Sequence, residues 1–213
     1  SQSIERLIVG LPNINVVVMN HFVDPLMLYQ KALETKKFNI IIENKVLYSQ
    51  NSYKEIIEGY EYEASDLGDF PIIKIKPKRH SPSCTIFTYG HELVYVVEAL
   101  KILLYEHDIF CEVICPTLIT PLEIEPLKDS VIKTKRLLTI EEGPSFAAIG
   151  SEAISSIIEE GINSFNVIRL GNNSVIPCSY EAEIDLLPGT RDIIQGVLKL
   201  AKWKQWELLF VGN

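Results

Sequence analysis

The sequence predicts an α/β fold in which a mainly parallel sheet is flanked by helices. Three observations carry that reading. Short apolar runs without polar alternation recur, as at residues 39–43 (NIIIE) and 137–140 (LLTI), which is the pattern of strands covered on both faces. Such runs are followed by a turn and then by apolar residues at helical spacing. Strand-like and helix-like segments alternate along most of the chain, which favours parallel pairing through right-handed crossovers. The plainest unit is residues 137–160, LLTIEEGPSFAAIGSEAISSIIEE. Its strand is stopped by Glu141-Glu142-Gly143-Pro144. Phe146, Ile149, Ala153, Ile154, Ile157 and Ile158 then share one helical face, with Ser151, Glu152, Ser155, Ser156, Glu159 and Glu160 opposite. Gly161 stands where a residue just past the helix end belongs.

The remaining elements follow in order. Residues 3–9 read as helical and 15–19 (NVVVM) as a buried strand. Asp24-Pro25 is an N-cap followed by proline at the first helical position, opening a helix through Leu26, Leu28, Ala32 and Leu33. Residues 39–43 form the next strand, expected to be buried on both faces and parallel. Two strands and two helices do not close a core, so this piece reads as the end of a larger domain. From residue 49 to 83 the pattern fades into Tyr, Glu, Ser, Pro and Gly, a linker with one edge strand at 72–75. Regular alternation resumes with a strand at 85–88, a helix at 91–106 that is apolar apart from Glu98, Lys101 and Tyr105, and a strand at 109–114. Thr120-Pro121-Leu122-Glu123 matches a capping box and starts a helix through Leu127, Val131 and Ile132. After the unit described above come a strand at 167–170, a loop with Pro177 and Pro188, and a last helix capped by Thr190. The expected divisions are 1–48, 49–83 and 84–213.

Composition narrows the function classes. A chain of 213 residues with 47% hydrophobic and 23% charged residues is an ordinary globular protein. A net charge of −8, with the one basic cluster (KIKPKR, 74–79) broken by Pro77, argues against a nucleic-acid partner. No run reaches the length of a membrane span, and the start SQSIERLIVG is not a signal peptide. The expected location is therefore the cytoplasm or an organelle matrix, with no membrane partner. Cys84, Cys111, Cys115 and Cys178 are too scattered for a disulfide framework and read as small residues in a reducing compartment.

Ligands of open α/β sheets meet the carboxyl ends of the strands, here Tyr89-Gly90-His91, Cys115-Pro116-Thr117, Glu141-Glu142-Gly143 and Gly171-Asn172-Asn173. A catalytic reading makes Glu141 or Glu142 an acid/base and His91 a proton shuttle. The alternative is helix-terminus electrostatics, with Glu142 near one helix N-terminus and His91 near another. His21, His80 and His107 lack metal-ligand spacing. GxGxxG, Walker, GxSxG and HExxH motifs are absent, as is a GDG…N pattern. The residues themselves supply no reaction, so catalytic, cofactor-binding and metal-binding residues are expected to be none.

Several motifs match a known family. Residues 1–18, SQSIERLIVGLPNINVVV, resemble the pyrimidine-domain segment of the beta subunit of thiamine-diphosphate-dependent 2-oxo acid dehydrogenases, and residues 39–48, NIIIENKVLY, resemble the end of that domain. CTIFTYGHEL (84–93), FCEVICPTLITPLE (110–123), VIKTKRLLTIEEG (131–143) and FAAIGSEA (146–153) are similar to successive elements of the transketolase C-terminal domain. The resemblance implies a pyrimidine-binding remnant over 1–48 and a transketolase C-terminal-like domain over 84–213. It implies an intact enzyme that decarboxylates a 2-oxo acid on thiamine diphosphate and Mg and passes the acyl group to a lipoyl carrier. The partners implied are an alpha-type subunit, a lipoylated acyltransferase and self-association. The chain alone is expected to be inactive, since the family's active-site His and activating glutamate lie upstream of Ser1. Two alternatives stand beside this reading: a freestanding assembly module, and a transketolase or deoxyxylulose-phosphate-synthase type of transferase. The family's Asp-Leu-Arg is replaced by Cys115-Pro116-Thr117 and its Gly-Gly by Ala147-Ala148. Some members hold a structural monovalent cation near residues 32–37. Thr35 and Lys37 stand there, so that site is expected to be lost or altered.

Overall fold

The computed structural model describes residues 4–49, 57–65 and 70–210. Ser1-Gln2-Ser3 and parts of the 49–83 stretch lie outside the described residues. Strands β1 (Ile14–Val18) and β2 (Phe38–Ile42) pair in parallel and are joined by α1 (Pro25–Glu34). The Asp24 carboxylate accepts the Leu26 N–H at 2.9 Å, so the N-cap and proline signals start this helix as expected. The third strand of this sheet arrives from far along the chain: β7 (Leu118–Thr120) runs antiparallel to β1, giving the order β2-β1-β7. The Thr120 capping box is thereby overturned. Thr120 is spent on pairing with Val16, and α3 (Glu125–Thr134) begins five residues later with Pro126 in its first turn.

The larger sheet has the order β3-β4-β6-β5-β8-β9. Strands β5 (Cys84–Phe87), β6 (Cys111–Pro116), β8 (Arg136–Ile140) and β9 (Asn166–Leu170) run parallel to one another. The stretch read as a linker with one edge strand adds two antiparallel strands, β3 (Tyr60–Ser65) and β4 (Ile72–Pro77), and β4 is interior. The alternation of Tyr60-Glu61-Tyr62-Glu63 with Lys74 and Lys76 opposite explains the miss, because the hairpin is polar on one face. Lys76 pairs with Glu61 and Glu63 across it.

Both faces of the parallel strands are covered. Ile86, Val113 and Leu138 face α2 (Leu93–His107) and α6 (Thr190–Phe210), contributing to a core with Leu93, Leu100, Ile193 and Val197. Their chain neighbours Phe87, Ile114 and Leu137 face α3 and α4 (Ile149–Glu159), packing with Leu127, Val131, Ala153 and Ile157. This is why those runs lack polar alternation. Strand β2 was expected to share that environment but does not: it is an edge, its first residue exposed and the rest half-buried. Cys84, Cys111 and Cys115 are buried free thiols and Cys178 is exposed.

Smaller departures have local causes. Only Glu5–Leu7 of the predicted first helix is helical, as one 3-10 turn. Phe146 precedes α4 and is 82% exposed, because Ala147 takes a left-handed φ of 53° that breaks helical phasing. The Pro177–Pro188 loop holds the short helix α5 (Tyr180–Leu186). The Thr190 hydroxyl is used to tie α6 to α2, donating to the Glu98 carboxylate at 2.9 Å.

Candidate functional site

Strand β5 is followed by β6 on one side and, after α3, by β8 on the other, so the connections diverge at the carboxyl ends of β5 and β8. Crevices of open α/β sheets form at such points. Here β5 runs into Thr88-Tyr89-Gly90 and the 3-10 turn Gly90–Glu92, while β8 runs into Glu141-Glu142-Gly143. The small sheet closes over them. Gly90 has φ +67°, and a Cβ placed on it would lie 2.9 Å from Cγ1 of Val18 at the end of β1. Thr117 secures the same junction: its carbonyl accepts the Val18 N–H at 2.8 Å and its hydroxyl donates to the Pro71 carbonyl at 2.7 Å. The Cys115-Pro116-Thr117 substitution thus contributes sheet-to-sheet packing.

The crevice gathers five acidic or phenolic groups. The Tyr89 hydroxyl lies 2.9 Å from Glu5 Oε1 and 2.9 Å from Glu141 Oε2. One hydroxyl hydrogen cannot serve both carboxylates fully. Glu141 also accepts the backbone N–H of Ile149 at 3.0 Å and of Gly150 at 2.7 Å. It is therefore Glu141, not the expected Glu142, that caps α4. Burial raises the Glu141 pKa against these stabilising hydrogen bonds. Burial also raises Glu142, with help from the Glu5 charge.

Glu92 is 5% exposed, and its pKa is pushed up to about 8, first by burial and then by the Glu142 carboxylate. Burial lowers the pKa of His91, whose ring meets Tyr95 edge-on at 5.3 Å. Burial and the nearby His91 take His21 down to about 4. Glu5, Tyr89, His91, Glu92 and Glu142 border a cleft of about 250 Å³ that Glu43 and Lys45 also line. Two neighbouring clefts, of about 310 and 260 Å³, are bordered by His21, Glu43 and Tyr48 and by Arg6, Glu142 and Asn173 respectively.

The structure thus brings His91, Glu141 and Glu142 together, and gives them unequal roles. Both oxygens of Glu141 are engaged by backbone N–H groups and a phenol, which suits a cap more than a mobile base. Tyr89 was named in the sequence only as part of a strand end, and Glu5 and Glu92 were not singled out. The signals for them are faint: a glutamate in the first turn of an otherwise apolar helix, and a glutamate in an amphipathic opening segment.

Glu92 yields a pH-dependent prediction. Its folded pKa lies above the ordinary value of 4.5, so the folded state binds the proton more tightly than the unfolded chain. The resulting penalty is absent below about pH 4.5, grows as pH rises, and is complete above about pH 8. Glu92→Gln is expected to match the parent in urea denaturation near pH 5 and to exceed it by about 1–2 kcal/mol near pH 9. A variant less stable than the parent at both pH values would sink this account.

The fold and the crevice define a class: an α/β domain with a smaller sheet locked against the carboxyl ends of its parallel strands. Residues 73–187 match the family model described as transketolase, C-terminal domain, and the chain belongs to that family. It is similar to the pyruvate dehydrogenase E1 component subunit beta of Rickettsia bellii, with 30% identity over 162 residues covering 74% of this chain and 49% of the relative. The mitochondrial subunit beta of Pisum sativum is 30% identical over 86% of this chain and 50% of its own length. That of Bacillus subtilis is 28% identical over 95% of this chain and 60% of its own length. The chain spans about half the length of the relatives it matches. Among solved structures, a split-gene transketolase described as an inactive beta4 tetramer aligns with a TM-score of 0.66 at 21% identity, over 92% of this chain and 61% of that one, a likeness of fold.

Proposed function

We propose that this chain forms the C-terminal part of the beta-type subunit of a thiamine-diphosphate-dependent 2-oxo acid dehydrogenase and contributes architecture and partner contacts to oxidative decarboxylation. The observation that carries the reading is the β1–β7 pairing. It fastens the segment that resembles the end of a pyrimidine-binding domain to the transketolase C-terminal domain, as one body of a beta subunit requires. Similarity to E1 beta subunits over 74–95% of the chain supports it. Leu26, Leu33 and Phe38, which are 63%, 86% and 68% exposed, leave an apolar surface on α1 and β2 suited to an alpha-type subunit or to self-association. A lipoylated acyltransferase is the remaining partner in this reading.

The described residues do not fit the Mg-diphosphate end of the cofactor. The cleft beside Glu92 carries four carboxyl groups, Glu92 itself held largely protonated, against one lysine, a balance that does not favour a diphosphate. Among the described residues there is no group of three or more His, Cys, Asp or Glu that could hold a metal ion. In this reading the cofactor grip lies elsewhere in the assembled enzyme, and the 213-residue chain alone is expected to be inactive. Turnover of pyruvate or a branched 2-oxo acid by the purified chain would refute that assignment. Among the described residues no helix is long and apolar enough to cross a membrane; a cytoplasmic location belongs to the same proposal. The engagement of Glu141 as a cap also suits a freestanding assembly module. Immunoprecipitation from source cells, with intact masses of everything recovered, separates the two. A polypeptide well above 24.1 kDa with an alpha-type partner and a lipoylated protein is the expected result. A native chain of 24.1 kDa without those partners would leave the module.

A further inference from the structure

The turn from α1 into β2 directs three oxygens at a single atom. Nδ2 of Asn39 lies 2.8 Å from the Ala32 carbonyl oxygen, 2.7 Å from Thr35 Oγ1 and 2.9 Å from the Lys37 carbonyl oxygen. Ala32 belongs to the last turn of α1, whose carbonyls lack helical partners and carry the negative end of the helix dipole. An amide NH2 has two hydrogens, so three acceptors oversubscribe it. Carbonyl and hydroxyl oxygens converging at a helix carboxyl end form the kind of shell that hard cations take.

The oxygens around Nδ2 set the orientation of the amide. Asn39 Oδ1 accepts from Nδ2 of Asn15 at 2.9 Å, and the two residues face each other in the β1–β2 register. Asn15 Oδ1 is buried without a partner, so Asn15 could turn over together with Asn39, but turning the Asn39 amide would press a fourth oxygen against the Ala32 and Lys37 carbonyls. Ala32 is 8% exposed, so water does not relieve that crowding.

We propose that the Asn39 side-chain amide takes the place of a monovalent cation, holding the end of α1 to β2 from within the chain. The site implied by the family resemblance therefore does not fit an ion here, because a nitrogen atom stands at the centre of the available oxygens. The Lys37 ammonium is not the cause; that residue contributes its backbone carbonyl to the nest. The proposal is independent of the reaction assigned above.

The test is thermal unfolding of the intact protein at fixed ionic strength in potassium, sodium, ammonium or choline chloride. The parent is expected to have one Tm in all four salts. Asn39→Ala removes the nitrogen and leaves the oxygens, so its Tm is expected to fall by about 5 °C in choline chloride and to recover in potassium or ammonium chloride. A Tm of the parent that rises specifically with potassium would overturn the proposal, as would an Asn39→Ala protein indifferent to the salt. Should that variant not fold, the side-chain NH2 resonances of Asn39 in the parent decide the matter. Identical positions in choline and potassium chloride support the substitution, and a potassium-dependent shift overturns it.

Discussion

Glu141→Ala is expected to destabilise the fold by about 4 kcal/mol, read as a lower urea midpoint at an unchanged m-value. The carboxylate accepts the first N–H groups of α4, from Ile149 and Gly150, and the Tyr89 hydroxyl, in a region where Glu141 itself is 4% exposed. A lost helix cap costs about 1–2 kcal/mol, and each buried donor left without an acceptor adds about 1–3 kcal/mol. Glu141→Gln should lose about half as much, since an amide oxygen can still accept one backbone N–H while its NH2 opposes the other. The site leaves no room for rescue by a larger neighbour at position 150. A Cβ on Gly150 would lie 2.8 Å from Glu141 Oε1 and 2.8 Å from Thr139 Cβ, so α4 meets β8 as closely as the backbone allows. A measured loss below about 1 kcal/mol would free Glu141 from the capping role and return it to the acid/base reading.

The parts of this fold that were legible in the sequence are those where one signal acted alone. Runs such as 137–140 and 109–114, the latter apolar but for Glu112, named their strands, because full coverage on both faces demands that composition. Asp24-Pro25 named a helix start, because the Asp24 side chain is spent locally on the Leu26 N–H. Thr120 carried the same kind of local signal and misled, because pairing of β7 with β1 claims its backbone from more than a hundred residues away. The β3–β4 hairpin was hidden by its charges, which cross-strand pairing neutralises only once the strands are adjacent.

The crevice followed the same division. Its location could be read from the strand ends, whereas the engagement of Tyr89 by Glu5 and Glu141 depends on the small sheet closing over the large one. In the nest beside Asn39, sequence reasoning weighed the Thr35 and Lys37 side chains. The decisive atoms are two backbone carbonyls and an amide on the following strand.

The closure of the small sheet supplies the second large effect, because it turns on a residue with no side chain. Gly90→Ala is expected to cost about 3 kcal/mol. Part of that comes from φ +67°, where an L-residue pays about 1–2 kcal/mol. The rest comes from the new methyl group, which would lie 2.9 Å from Cγ1 of Val18. Val18 has little freedom to retreat, since it is 6% exposed and its N–H is bound to Thr117 at the foot of β7. A double-mutant cycle separates the two contributions. Val18→Ala alone should cost about 1–2 kcal/mol through lost packing. Combined with Gly90→Ala it should recover about 1 kcal/mol of the expected sum, while the backbone penalty persists. Strict additivity would mean that the sheets do not grip each other at this contact. Coupling of the expected sign would place the hold of residues 4–49 on the transketolase C-terminal domain at Gly90, where the chain has kept a glycine so that β1 can approach.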